Sequence, residues 1–295
     1  MINNKSIVTH GNIKINSGTK LWGNVTAGGT VKLPGGQIKG NVFCADDNAN
    51  CVTKENKVSK EVINTNNEVP DPSPVTDTID EKKQSLDSSS ENDNDAEDDI
   101  SGNRIDRDSG TEEITAGEYY LTKIDRDSNM ILDTSNGDIT LVIDGKWDLD
   151  GARITVQGKN VVRIYIPDTG SDEMVFDNQA RVFVRHGGKR SYNSSQVWVY
   201  GTPGFVFDIN TESQFTGVIY APEGKASEAG EVDIQSSAIF GAVVAHVKKM
   251  DQGNKQAVIH YDTSLDTEAA GQAADPGSLN IENMHVTVNR VNVTG

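Results

Sequence analysis

The chain has 295 residues, of which 35% are hydrophobic and 6% aromatic, and 28 are glycine. Its formal net charge of -17 excludes nucleic acid and anionic membrane surfaces as natural partners, because like charges repel. A composition with many glycines and few aromatic residues is unusual for a globular enzyme. It is typical of a thin β-structure with many turns and small side chains inside.

Residues 1–52 contain a short repeat. Apolar residues two positions apart lead to a Gly-Asn-Val corner at Gly23, and the pattern returns at Gly40 with an offset of 17 to 18 residues. A unit this short cannot bury its own apolar face, so it must stack on the next copy. The repeat therefore predicts the rungs of a right-handed β-helix (β-solenoid), with glycine or asparagine at its tight corners.

Two cysteines and three sequons are candidate modification sites. Cys44 and Cys51 flank a polar loop, which predicts either a disulfide that closes this loop or two unrelated thiols in a reducing compartment. No second cysteine pair exists to complete a zinc site. Asn-x-Ser/Thr triplets that would suit a glycosylated, exported protein begin at Asn24, Asn193 and Asn292.

Residues 53–117 have the composition of an acidic, proline-containing linker. Pro74 predicts the start of a short helix in which Val75, Ile79 and Leu86 share one face. Residues 88–99 are nearly all Ser, Asn, Asp and Glu, so they cannot bury enough apolar area to offset the entropy of ordering. We expect this segment to be flexible and open to proteases.

Residues 118–262 predict the main β-helix domain, because short alternating runs are bounded there by Gly, Asp, Asn or Pro. Residues 215–221 and 239–245 are copies of one run, 24 positions apart. Residues 263–295 predict a connector and a C-terminal strand that caps or extends the sheet. Five apolar residues of the alternating runs should point into the coil: Ile143, Ile164, Val199, Ile219 and Val243.

The chain contains no run of about 18 apolar residues, which a membrane-spanning helix needs. Residues 1–10 also lack the basic and apolar regions of a signal peptide. We therefore expect no transmembrane segment in this chain. We interpret it as the soluble part of a longer exported precursor, with a cytoplasmic protein as the alternative.

The order of several motifs resembles that of a known family. The motifs are the Gly-Asn-Val repeat and residues 69–72, 116–121, 137–145, 197–201, 215–222, 241–245 and 259–262. Over most of residues 10–295 they resemble uncharacterised pilin-like cell-surface β-helix proteins of halophilic archaea. The resemblance implies a surface location and a hydrophobic pilin-like helix, from which this sequence departs, and it implies no activity. The N-terminal repeat alone is similar to bactofilins, the polymer-forming cytoskeletal β-helix proteins.

Catalytic and metal-binding patterns are weak. No residue is predicted to be catalytic or to hold a cofactor. Two Ile-Asp-Arg-Asp-Ser motifs, which contain Asp106 and Asp108 and then Asp125 and Asp127, could present carboxylates to calcium, but an arginine between each pair neutralises charge and favours solvated turns. The histidines are scattered, without metal-ligand spacing: His10, His186, His246, His260 and His285.

Three functions remain open from the sequence. The preferred one is a non-catalytic structural protein of an extracellular surface layer or pilus-like appendage, with protein partners or self-association. The second is a cytoplasmic bactofilin-like scaffold that polymerises end to end. The third is a carbohydrate-binding or polysaccharide-active β-helix, such as a lyase or hydrolase, with a cleft formed by Asp177, Arg181, Arg185 and Lys189.

Overall fold

The protein is a mainly β chain whose parallel strands stack as a β-solenoid of about 7 turns, as the sequence predicts. A computed structural model provides this description. It describes residues 6–9, 13–14, 20–22, 24–27, 30–44, 51–64, 75–88, 90–106, 110–127, 129–167, 173–221, 231–251, 257–260, 262–266, 286–288 and 293–294.

The N-terminal coil consists of short strands that pair with the next copy of the repeat. Ile13 pairs with Val31, and Leu21 pairs with Ile38, so the offset of 17 to 18 residues is the rung length here. Later rungs extend this coil past the predicted boundary, since Val42 pairs with Val62. The strands are β1 Ser6–Thr9, β2 Ile13–Lys14, β3 Lys20–Trp22, β4 Asn24–Ala27, β5 Val31–Lys32, β6 Gln37–Lys39, β7 Val42–Cys44, β8 Val52–Thr53 and β9 Val62–Asn64, with a 3-10 turn at Glu55–Lys57.

The main coil has longer strands and three faces. Its first strands are β10 Arg104–Ile105, β11 Thr111–Ile114, β12 Gly117–Arg126, β13 Asn129–Thr134, β14 Ile139–Asp150, β15 Arg153–Gly158, β16 Val162–Ile166, β17 Glu173–Asp177 and β18 Arg181–His186. They continue with β19 Lys189–Ser191, β20 Val197–Gly201, β21 Val206–Ile209, β22 Gln214–Tyr220, β23 Glu231–Gln235, β24 Ala238–Asp251 and β25 Val258–His260. Phe215 pairs with Ile239, which confirms the 24-residue copy.

Glycines let the long strands bend from one face to the next. Gly217 and Gly241 are register partners with φ of 155° and 145°, values that L side chains rarely adopt. A Cβ on Gly241 would lie 1.9 Å from the carbonyl oxygen of Gly217. Only glycine therefore allows the two rungs to stack this closely at the corner.

The interior of the main coil is a continuous apolar core. The five residues predicted to point inward all belong to it, with exposed fractions of 0 to 1%, so that prediction is confirmed. Ile164, Val199 and Ile219 are consecutive partners in one column of the stack. Each rung therefore buries its apolar side chains against the rungs above and below it.

The predicted short helix is α1, Thr76–Leu86, and it covers one outer face of the main coil. Val75, Ile79 and Leu86 are buried against a ladder of outward-facing rings that includes Tyr165 and Tyr200, so the predicted helical face is confirmed. A salt bridge also joins this helix to the sheet, with 2.8 Å between Lys83 Nζ and Asp144 Oδ1. Within the described residues, no helix is long and apolar enough to cross a membrane.

The two coils are joined by the C-terminal strand β26, Val286–Val288, which is followed by β27, Val293–Thr294. On one side, β26 pairs in parallel with β24 through Val244 and Thr287. On the other side, it pairs in parallel with β1 through Ile7 and Val286. The C-terminal strand therefore extends the sheet of the main coil into the N-terminal coil.

Candidate functional site

Cys44 and Cys51 are joined by a disulfide bond, and their Cα atoms lie 6.0 Å apart. Both cysteines are buried in the apolar core of the N-terminal coil, against residues such as Val31 and Val42. The bond closes the loop between β7 and β8. Its position inside the coil gives it a structural role.

The three sequons are placed differently. Asn193 lies before the 3-10 turn Ser194–Gln196, and its Oδ1 accepts a 2.6 Å hydrogen bond from the hydroxyl of Ser195. Its amide nitrogen lies 3.5 Å from Gln196 Oε1. The turn thus uses the amide that a glycan would modify. Asn24 is part of the β4 backbone, and its side chain and Asn292 lie outside the described part of the chain.

The carboxylates considered for calcium are close to basic neighbours. Asp106 forms a 3.3 Å salt bridge with Arg104, and Asp125 forms one with Lys123. Asp127 is exposed, and Asp108 is outside the described residues. In the described ranges, no three His, Cys, Asp or Glu residues are grouped so that they could hold a metal ion.

The four residues considered for a polysaccharide cleft do not form one cluster. Arg181 and Arg185 lie near opposite ends of β18, about 13 Å apart at strand spacing. Asp177 precedes the corner before β18, and its carboxylate accepts a hydrogen bond from the backbone of Asn178. The structure brings only Arg185 and Lys189 together, at the far end of the strand.

That end of β18 is a basic hairpin that projects from the coil. Strand β19 turns back and pairs with β18 in antiparallel orientation, so Arg185 is opposite Arg190 and His186 is opposite Lys189. All four side chains are exposed. Like charges directly opposite each other destabilise a sheet, so this arrangement costs stability.

Aromatic rings lie beneath and beside the hairpin. The guanidinium carbon of Arg190 lies 5.4 Å from the ring centre of Phe183 and 5.0 Å from that of Tyr192, a cation–π arrangement. The Tyr192 ring is 4.6 Å from Phe240, which stacks on His260 at 4.9 Å and 10°. Phe240 and His260 are register partners of β24 and β25, so the rungs place their rings side by side.

We refer to this surface as the basic aromatic strip. Its members are the exposed residues Arg185, Lys189, Arg190, Tyr192 and His260 and the half-buried Phe240. Tyr192 has an exposed fraction of 47%, whereas the other large hydrophobic side chains of the described residues are less exposed. Among the described residues, the three cations of the strip form no salt bridge. Arg190 Nη2 does donate a 2.6 Å hydrogen bond to Gln214 Oε1, a neutral acceptor, so its charge is not neutralised. The strip is therefore a positively charged surface without a carboxylate partner, on a chain with a formal net charge of -17.

The half-buried carboxylate of Asp262 holds the strip in place. Asp262 Oδ2 accepts hydrogen bonds from the backbone N–H and the hydroxyl of Ser194, at 2.8 and 2.9 Å, and from the hydroxyl of Ser264 at 2.7 Å. Ser194 follows Tyr192 by two positions, and Asp262 follows His260 by two. We call this linkage the Asp262 brace, and it fixes the two ends of the ring row relative to each other.

The electrostatics of the brace favour a charged Asp262. Burial alone would raise the pKa of Asp262, but hydrogen bonds from Ser194 and Ser264 outweigh it and lower the pKa below its usual value. The carboxylate is therefore ionised at neutral pH, when it accepts its full set of hydrogen bonds.

Sequence reasoning found only part of this site. It named Arg185 and Lys189 as cleft residues and His260 only as one of the scattered histidines. It missed Arg190, Tyr192 and Phe240, because the pairing of β18 with β19 and of β24 with β25 is not visible in the sequence. His186 lies on the hairpin, and His10, His285 and the side chain of His246 are outside the described part.

An acidic segment, residues 93–99, covers the edge of the first rung of the main coil, and we call it the acidic cap. The side chain of Asn94 accepts from the N–H of Tyr120 at 3.1 Å and donates to the carbonyl of the same residue at 2.6 Å. Asp93 Oδ2 accepts from the N–H of Glu118 at 2.8 Å, and Glu97 Oε1 accepts from the N–H of Thr115 at 2.9 Å.

The acidic cap replaces the backbone partners that another rung would supply. Asp99 adds a 3.0 Å bond to the N–H of Glu113, so N–H groups along the edge of β11 and β12 have side-chain acceptors. We expected residues 88–99 to be flexible, but residues 93–99 are hydrogen-bonded to the first rung. That expectation counted apolar area, whereas the observed contacts are made by carboxylate and amide groups.

The family model described as Domain of unknown function (DUF7305) matches residues 55–268. This range begins in the last rungs of the N-terminal coil and ends just after the 3-10 turn Thr263–Asp266, so it contains the acidic cap, the basic aromatic strip and the Asp262 brace. No curated protein and no solved structure matches the chain.

Proposed function

We propose that this chain, which belongs to the DUF7305 family, is a non-catalytic structural protein of the cell surface or of a pilus-like appendage. The observation that carries the proposal is the coil itself, in which a packed apolar interior is combined with a closed first rung. Such a body is a stiff spacer, and its accessible chemistry lies on its outer faces.

The disulfide supports an extracellular location. A Cys44–Cys51 bond persists in oxidising compartments, whereas cytosolic thiols are kept reduced. The bond therefore favours the surface protein over the cytoplasmic bactofilin-like scaffold.

The acidic cap supports a limited form of assembly. An open β edge templates the addition of further strands, and end-to-end polymers of solenoids would need both ends of the coil to be open. With Asp93, Asn94 and Glu97 bonded to the first rung, that end is closed to a second copy. We therefore propose partner binding through an outer face, and not growth through this end.

The redox state of the cysteines in the source cells tests the location. Cells would be quenched in acid, free thiols would be blocked with one reagent, and disulfides would then be reduced and labelled with a heavier reagent. Full labelling of Cys44 and Cys51 by the second reagent is the expected result. Two thiols blocked at the first step would overturn the surface location and favour the cytoplasmic scaffold.

A further inference from the structure

We propose that the basic aromatic strip binds a carboxylate-bearing polysaccharide, a chain of uronic acid sugars. The proposal rests on the proposed surface role for its biological setting only. The contacts that carry it are the paired cations of the hairpin and the exposed ring of Tyr192, which Phe240 and His260 support.

The cations provide sites for carboxylates. Arg185 and Arg190 are opposite each other in the hairpin, and neither has a carboxylate partner within the described residues. A guanidinium group binds a carboxylate through two parallel hydrogen bonds, which are stronger than neutral ones. A bound polyanion would also remove the repulsion between the facing charges, so binding and hairpin stability reinforce each other.

The rings provide flat surfaces for sugars. Tyr192 is the exposed ring, and the C–H face of a pyranose ring packs against such an aromatic surface. Phe240, at 4.6 Å, supports Tyr192 from behind and is itself stacked on His260 at 4.9 Å. The Asp262 brace holds this row before any ligand arrives, so little ordering is needed on binding.

Two other polyanions fit the strip less well. An acidic polypeptide, including a second copy of this chain, would bind the cations through its carboxylates. Those carboxylates would leave the half-exposed ring of Tyr192 without an apolar surface to pack against. Double-stranded nucleic acid carries one phosphate charge per about 1.7 Å of its length, more densely than a chain with one carboxylate per sugar, so a protein with 44 acidic and 27 basic residues repels it more strongly. The combination of rings and guanidinium groups therefore favours the glycan.

Binding to polygalacturonate tests the proposal directly. The purified full chain would be titrated at low salt with polygalacturonate, with neutral dextran and with poly-L-glutamate. R185Q/R190Q removes two cations, Y192S removes the exposed ring, and K60Q is the control, because Lys60 is an exposed cation of the N-terminal coil. Circular dichroism of each variant checks its fold, and K189Q at the hairpin tip replaces the double variant if that one does not fold.

The expected result is that polygalacturonate binds, more weakly as salt rises, and that dextran does not. R185Q/R190Q should weaken binding by about tenfold or more, Y192S should weaken polygalacturonate binding selectively, and K60Q should leave it unchanged. Equal binding of poly-L-glutamate with no effect of Y192S would overturn the proposal in favour of an acidic protein partner. No binding of polygalacturonate would overturn it as well, and neither outcome bears on the redox test of the surface location.

Discussion

Ser194 donates both its backbone N–H and its hydroxyl to one oxygen of Asp262, although the two residues are 68 positions apart in the sequence. The bond connects the turn after the basic hairpin to the turn after the last strand of the main coil. Because Ser264 donates to both oxygens of the same carboxylate, Asp262 is the point where the two turns meet.

D262N should destabilise the main coil by about 1–2 kcal/mol, because an amide retains one acceptor where several donors need two. Thermal melting would measure the loss. D80N is the matched control, since it removes the same charge from an exposed position on α1. Equal melting temperatures for the two variants would show that the Asp262 brace contributes nothing to stability.

Stability should fall as the pH drops below about 4, and D262N and D138N should each weaken that dependence. Burial raises the pKa of Asp138, but the backbone bond from Val161 and the Arg163 side chain outweigh it, so the pKa of Asp138, like that of Asp262, is lowered. A lowered folded-state pKa gives stability that is present above the unfolded value of about 3.9 and is lost as pH falls through the folded value. Melting curves between pH 2.5 and 6 would reveal the slope, and parallel curves for wild type and both variants would contradict the assignment.

N94A should open the first rung of the main coil. It leaves both peptide groups of buried Tyr120 without their side-chain partners, which costs about 2 kcal/mol and exposes an edge for strand addition. Light scattering should show association of N94A and a monomeric D95N control, whose side chain is exposed in the same turn. Monomeric N94A at unchanged stability would mean that the acidic cap does not protect the edge.

G241A should prevent the main coil from folding or cost more than about 3 kcal/mol, because its Cβ would overlap the carbonyl of Gly217. G102A isolates the backbone contribution, since Gly102 also has a positive φ but no atom within 4 Å of an added Cβ. That control should cost only about 1 kcal/mol. Soluble yield and thermal melting compare the two, and a folded G241A as stable as G102A would rule out the close corner packing.

Salt should stabilise the fold. At a formal net charge of -17 the exposed carboxylates repel one another, and this repulsion is screened as the Debye length falls to about 3 Å near 1 M salt. Melting temperatures should therefore rise from low to molar NaCl. A melting temperature that does not change with salt would refute the charge argument.

The sequence predicted the features that repeat. Alternation of apolar residues identified Ile164 and Val199 as interior, and the 24-residue copy identified the pairing of Phe215 with Ile239. Both were predictable because the repeat length in the sequence of a solenoid equals the number of residues in a rung. Features that occur once were not predictable in this way. The contacts of Asn94 with Tyr120 and of Tyr192 with Phe240 join residues from different rungs, and neither residue type nor spacing indicates them.

The position of β26 has a consequence for the order in which the molecule is made. A ribosome makes Val286 long after Ile7, yet these residues are paired neighbours in the stack. The N-terminal strands therefore lack one neighbour until the residues around Val286 have been made. Contacts this distant in sequence form slowly, so we expect the joining of the two coils to be a late step of folding.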